Sequence, residues 1–127
     1  MDIESILNPE RVFGSLQASS KKRAIELAAD KIAASLPEAD TGTIYRNLIE
    51  REKLGTTAIG HGVAIPHCRL AESETITGGL FVFEEPIDFS AHDDQPVNIM
   101  FILLVPENET TEHLKALAML AKAFSQE

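Results

Sequence analysis

The chain has 127 residues, 44% of them apolar, which predicts a single domain spanning 1–127 around one hydrophobic core. Its formal net charge of −9 at pH 7 argues against nucleic acid or an anionic membrane as a partner, because those surfaces reward clustered Lys and Arg. No signal-peptide pattern opens the chain at Met1-Asp2-Ile3-Glu4, the apolar run Ile99 to Val105 is too short to cross a bilayer, and the lone Cys68 forms no intramolecular disulfide, so the predicted location is the cytoplasm.

In chain order, Val12 to Leu16 predicts a short first strand. Ser19 or Ser20 can cap a helix whose Ile25, Ala28, Ile32 and Leu36 share one face, with Leu36-Pro37 ending it. The basic run Lys21-Lys22-Arg23 at its start reads as a solvated face. Asp40 or Thr41 can cap a second helix carrying Ile44, Leu48 and Ile49, and Gly55 suits a left-handed position just beyond its end. Val63, Ala64 and Ile65 suit a short buried strand, preceded by turn glycines Gly60 and Gly62 and halted by Pro66. Gly79 to Phe83 alternates as a strand, and Val97 to Val105 reads as a central strand buried on both faces. After Pro106, Asn108, Thr110 or Thr111 can cap a third helix with Leu114, Leu117, Ala118, Ala121 and Phe124 on its inner face. No linker or repeat interrupts this order, which predicts an α/β layered domain with helices covering a mixed sheet.

The chemistry-bearing candidate is His67, delivered at a strand end immediately after Pro66 and therefore rigid and at a surface. On spacing alone, a turn histidine without a role has equal weight. His113 falls in the first turn of the third helix and Arg51 in the last turn of the second, where helix capping and dipole complementation are the simpler readings. His61, His67, Cys68 and His92 carry ligand atoms without zinc spacing, so no metal site is expected, and His92-Asp93-Asp94 reads as a polar turn. Cys68 reads as a passive small hydrophobe, with a thiol exposed beside Arg69 as the alternative.

Arg51, the stretch Leu54-Gly55-Thr56-Thr57-Ala58-Ile59-Gly60-His61-Gly62-Val63-Ala64-Ile65-Pro66-His67, Asp94-Gln95-Pro96-Val97, and Leu104-Val105-Pro106 followed by His113-Leu114 resemble the fructose/mannitol-class IIA domain of the bacterial phosphoenolpyruvate-dependent phosphotransferase system. The likeness runs from about residue 5 to the end, and the pattern His113, Leu114, Leu117, Leu120, Ala121 is most similar to the stand-alone nitrogen-regulatory members. The resemblance implies the same layered architecture. It also implies that His67 is the phosphoryl acceptor, as a tele-phosphohistidine, that His113 donates an N–H to the phosphoryl group, and that Arg51 gives charge-assisted support. The implied donor is a phosphocarrier protein of the HPr type, and no cofactor is implied; the Gly-x-x-x-x-Gly-Lys-Ser/Thr phosphate loop does not occur in the sequence.

The expected role is a relay and signalling component rather than a turnover enzyme. Its phosphorylation state would select regulatory targets docking on an uncharged rim that includes Ile65 and Pro66. The alternatives are a sugar-specific IIA component passing phosphate to a IIB domain and, more remotely, a small metal-dependent hydrolase. No fused IIB or IIC segment is evident, which favours the regulatory reading. Two departures stand out. Cys68 occupies a position where the family commonly has a small residue, often glycine, and family members usually continue past the position of Glu127 into further C-terminal structure, so the expectation is either a truncated chain or a sheet that is covered differently.

Overall fold

A computed structural model describes residues 3–36, 39–71, 73–109 and 111–125. Its elements, in chain order, are α1 (Ile3–Ile6), β1 (Leu7–Leu16), α2 (Lys21–Ser35), α3 (Thr41–Glu52), β2 (Ala58–Gly60), β3 (Val63–Ala64), β4 (His67–Leu70), β5 (Thr77–Ile87), β6 (Val97–Pro106) and α4 (Glu112–Ser125). The strands form one mixed sheet in the order β1-β5-β6-β3-β2, with β4 also paired to β6.

β6 organises the molecule because it is the longest apolar run and alternate residues serve opposite faces. Met100, Ile102 and Leu104 join Ile25, Ile32, Ile44, Leu48 and Phe81 beneath α2 and α3. Phe101, Leu103 and Val105 join Ile6, Ala116 and Leu120 beneath α4. Helices therefore flank the sheet on both faces, as the mixed order of elements predicts. β5 lies antiparallel to β6 with Leu80 opposite Phe101, while β3 and β4 lie parallel to it, Ala64 opposite Met100 and His67 opposite Leu103. The sheet admits no Cβ at Gly78, which would lie 2.7 Å from the Phe101 ring.

The helix starts follow local chemistry. Ser20 Oγ accepts the Arg23 N–H (3.2 Å) and Asp40 Oδ2 accepts the Thr43 N–H (3.0 Å), each satisfying a donor that the first turn leaves open. Ile25, Ala28 and Ile32 are fully buried, whereas Leu36 is the half-buried C-cap of α2; Pro37 lies outside the described residues. Gly55 has φ 153°, a positive value open to glycine but well away from the left-handed helical conformation expected there.

Other expectations are corrected. The first strand begins at Leu7 rather than Val12; it pairs with β5 alone and so tolerates Pro9, and Ser15 at φ 57° marks its irregular register. The strand after the turn glycines stops at Ala64, one residue early, and the ladder resumes at His67, so the histidine opens β4 rather than following a strand end. At the entry to the third helix Glu109 Oε1 accepts the N–H groups of Thr111 (2.8 Å) and Glu112, and among the described residues neither Asn108 nor Thr111 caps the helix. Thr110 lies outside the described residues. The inner face of α4 is rotated accordingly, with Ala116 and Leu120 buried, Leu117, Ala121 and Phe124 half-buried, and Leu114 and Ala118 exposed.

Candidate functional site

Three consecutive positive φ values, 96° at Gly60, 59° at His61 and 79° at Gly62, turn the chain from β2 into β3. From there the backbone is pinned on both sides of Pro66. The Ile65 N–H donates to Thr57 O (3.0 Å), and Pro66 O accepts from the Leu103 N–H (2.9 Å). This aims the Ile65 carbonyl at the imidazole, and His67 Nδ1 lies 2.9 Å from Ile65 O. A carbonyl only accepts, so Nδ1 carries the proton and Nε2 keeps its lone pair.

Burial is the main force lowering the His67 pKa below its usual 6.5; the Ile65 hydrogen bond opposes it, Arg51 and His113 reinforce it, and Glu52 opposes it. The folded ring therefore binds a proton less readily than the unfolded one. Between 6.5 and the lower folded value the unfolded chain holds more protons, so this ring makes stability fall as pH drops through that window and level off below it. An NMR titration is expected to place the His67 midpoint below 6.5, and a midpoint above 6.5 would contradict the desolvation argument.

His67, His113 and Arg51 line one open cleft of ≈ 680 Å³. The structure thus brings together the three residues that the sequence singled out. His113 is half-buried in the first turn of α4, and its Nδ1 is a buried polar atom with no hydrogen-bond partner among the described residues. Arg51, in the last turn of α3, donates from Nη1 to Gly55 O (3.0 Å). Two exposed leucines, Leu54 (84%) and Leu114 (58%), stand on the rim. The apolar rim is theirs, since Ile65 and Pro66 are buried.

His61 and His92 stay apart from this group. His61 is exposed, donates its backbone N–H to Asp93 Oδ2 (3.0 Å) and borders a separate depression with Asp93 and Pro96. Among the described residues, no group of three or more His, Cys, Asp or Glu side chains is arranged to hold a metal ion. Cys68 is buried against the α2/α3 face, and burial pushes its thiol up to about 12, so the alternative of an exposed thiolate beside Arg69 is overturned.

Sequence reasoning passed over Arg69, Glu109, Glu52 and Thr57. Arg69 Nη1 donates to the carbonyls of Pro106 (3.3 Å), Glu107 (3.1 Å) and Glu109, tying the approach to α4 onto β4, while Asn47 Nδ2 donates to Arg69 O (3.1 Å). A period-two signal was available. Along β4, Cys68 and Leu70 point inward, which leaves Arg69 on the same side as His67. Glu52, only 7% exposed, accepts from Lys21 Nζ (3.2 Å), the Thr57 N–H (3.0 Å) and Thr57 Oγ1 (2.6 Å). Nothing in the composition of the Arg51-Glu52-Lys53 run distinguishes this buried carboxylate from its half-buried and exposed neighbours.

A mixed sheet with helices on both faces is an α/β architecture of the IIA mannitol-like class. The IIA mannitol crystal structure from Escherichia coli matches it with a TM-score of 0.77 at 20% identity, over 94% of this chain and 83% of that one. The chain belongs to the family described as phosphoenolpyruvate-dependent sugar phosphotransferase system, EIIA 2, which matches residues 5–127. Within that family it is similar to proteins named nitrogen regulatory protein. The Pseudomonas aeruginosa relative is 45% identical over 119 residues, covering 94% of this chain and 77% of the relative, and the Escherichia coli K12 relative is 39% identical over 126 residues, covering 98% and 77%. The crystal structure of nitrogen regulatory protein IIA-Ntr from Neisseria meningitidis matches with a TM-score of 0.92 at 42% identity, over 98% of this chain and 85% of that one. Among the described residues, no helix is long and apolar enough to cross a membrane.

Proposed function

We propose that residues 1–127 act as one IIA unit, a cytoplasmic phosphoryl-carrier regulatory protein in which His67 Nε2 accepts a phosphoryl group from the phosphohistidine of an HPr-type carrier. The observation that carries this reading is the Nδ1–H to Ile65 O hydrogen bond at 2.9 Å, which leaves Nε2 as the nucleophile. The Nε2 lone pair forms the new P–N bond as the carrier's P–N bond breaks and its electrons return to the carrier imidazole. The proton on Nδ1 stays in place, and Ile65 O stabilises the positive ring that results. The lowered pKa of His67 favours the neutral ring, with Nε2 unprotonated, at neutral pH, as nucleophilic attack requires.

The transferring group spreads negative charge over its equatorial oxygens, so donors must already face it. Glu109 Oε1 takes the N–H groups of Thr111 and Glu112 at the entry to α4, which supports giving this task to side chains. His113, with an unpartnered ring nitrogen, supplies an N–H, and Arg51 supplies charge.

A regulatory output follows from the rim. Phosphorylation puts a dianion in the cleft that Leu54 and Leu114 line, and a target seated on those leucines would have to desolvate it. The resemblance to nitrogen regulatory proteins supports this output. The test compares proteins captured from cytosol by the unmodified and the enzymatically phosphorylated chain. Different partner sets, with tighter target binding by the unmodified form, are expected. Identical sets together with efficient phosphate delivery to a IIB domain would replace the regulatory reading with sugar-specific relay.

A further inference from the structure

We propose that Glu52 and Thr57 are positioning residues for His67, acting through the backbone of Ile65 to hold the imidazole in the tautomer that exposes Nε2. The proposal rests on the reading of His67 as phosphoryl acceptor. Its geometric part concerns the ring alone.

The argument begins with a carboxylate in the wrong place for a surface charge. Glu52 closes α3 beside Arg51, yet its neighbour faces the cleft while Glu52 itself is 7% exposed. A buried carboxylate is tolerated only when its oxygens are matched, and here they are: Lys21 Nζ at 3.2 Å and the Thr57 N–H at 3.0 Å meet Oε2, and Thr57 Oγ1 at 2.6 Å meets Oε1. Thr57, 5% exposed, is therefore gripped twice by one carboxylate, through its backbone and its side chain.

Thr57 passes that constraint on. Its carbonyl accepts the Ile65 N–H at 3.0 Å, and on the far side of Pro66 the carbonyl is held by the Leu103 N–H at 2.9 Å. The Pro66 ring restricts the backbone between these two anchors. The Ile65 carbonyl is thus left one direction, toward His67 Nδ1 at 2.9 Å. Hydrogen bonds, buried between Glu52 and Thr57 and part-buried at Lys21 and His67, link Lys21, Glu52, Thr57, Ile65 and His67 in a continuous path from α2 to the imidazole. Glu52 also acts through space, since its charge raises the affinity of His67 for a proton against the effect of burial.

A purely structural ion pair at the end of α3 would contribute to stability without affecting the ring. The two roles separate in ¹⁵N-histidine-labelled protein, where long-range ¹H–¹⁵N spectra report which nitrogen of His67 carries the proton. In the wild-type chain the Nδ1–H form is expected to dominate. Thr57→Val, nearly isosteric but without the hydroxyl, and Glu52→Gln are expected to raise the Nε2–H form and to slow phosphoryl uptake from phosphoenolpyruvate, enzyme I and an HPr-type carrier by about tenfold, the scale of losses from an orienting partner. Thr57→Ser, which keeps the hydroxyl, is expected to restore both readouts. An unchanged tautomer and rate in Thr57→Val, with only the melting temperature lowered, overturns the proposal. Absence of phosphoryl uptake by the wild-type chain would overturn the acceptor reading instead, and the tautomer shift would still decide the positioning role.

Discussion

His67→Ala is expected to take up no acid-labile phosphate from phosphoenolpyruvate, enzyme I and an HPr-type carrier, whereas the wild-type chain takes up one phosphoryl group. The other three histidines are not expected to substitute. His61 is exposed, but it borders a separate depression, on a turn whose backbone is held by Asp93. His92 lies exposed in the turn before β6, outside the cleft. His113 shares the cleft, yet its Nδ1 is buried, and no carbonyl among the described residues fixes its tautomer as Ile65 O fixes that of His67. Removing the imidazole also removes a half-buried group that burial keeps from protonating, so the variant is expected to fold and to lose the His67-linked dependence of stability on pH. Mapping the labile modification by mass spectrometry under alkaline conditions checks the site. Full labelling of the His67→Ala chain would remove His67 from the acceptor role.

Legibility in the sequence differed by element, for physical reasons. Val97 to Val105 could be read as the central strand because burial on both faces requires a continuous apolar run, and the caps Ser20 and Asp40 could be read because a short polar side chain before an apolar helical pattern has a specific use. The α4 face was misread because its pattern admits two neighbouring stripes. Leu114 and Ala118 fit one, but Ala116 and Leu120 are the residues that meet Phe101 and Leu103, and only the docking of the helix on the sheet chooses between them. β1 extends back through Pro9 to Leu7, a proline that an edge strand tolerates.

The candidate site was legible only in its outward-facing members. His67, Arg51 and His113 were picked out by their residue types at element ends and by a family resemblance. Glu52, Thr57 and Arg69 act through backbone groups distant in the chain, such as Ile65 N by way of Thr57 O, and Pro106 O, and a linear pattern carries no record of those meetings.

His113→Ala and Arg51→Ala are expected to slow phosphoryl uptake while leaving the fold in place. Each removes a side chain that lines the cleft with His67, and losing one oriented donor to a transferring oxyanion costs about 10²–10³ in rate. The stability cost is smaller. At position 113 the imidazole nitrogen has no hydrogen bond to lose among the described residues, and alanine favours the helix; at position 51 the loss is one exposed bond to Gly55 O. The melting temperature is therefore expected to move by no more than the equivalent of about 1 kcal/mol in either variant. Because both donors would act on the same group, the double variant is expected to lose less than the product of the single effects. His113→Gln separates donation from helix capping, since it keeps an N–H within the cleft and should recover part of the rate that His113→Ala loses. If His113→Ala and Arg51→Ala both accept and pass on phosphate at the wild-type rate, their assignment as supporting donors is wrong, and the cleft acts through His67 and its backbone clamp alone.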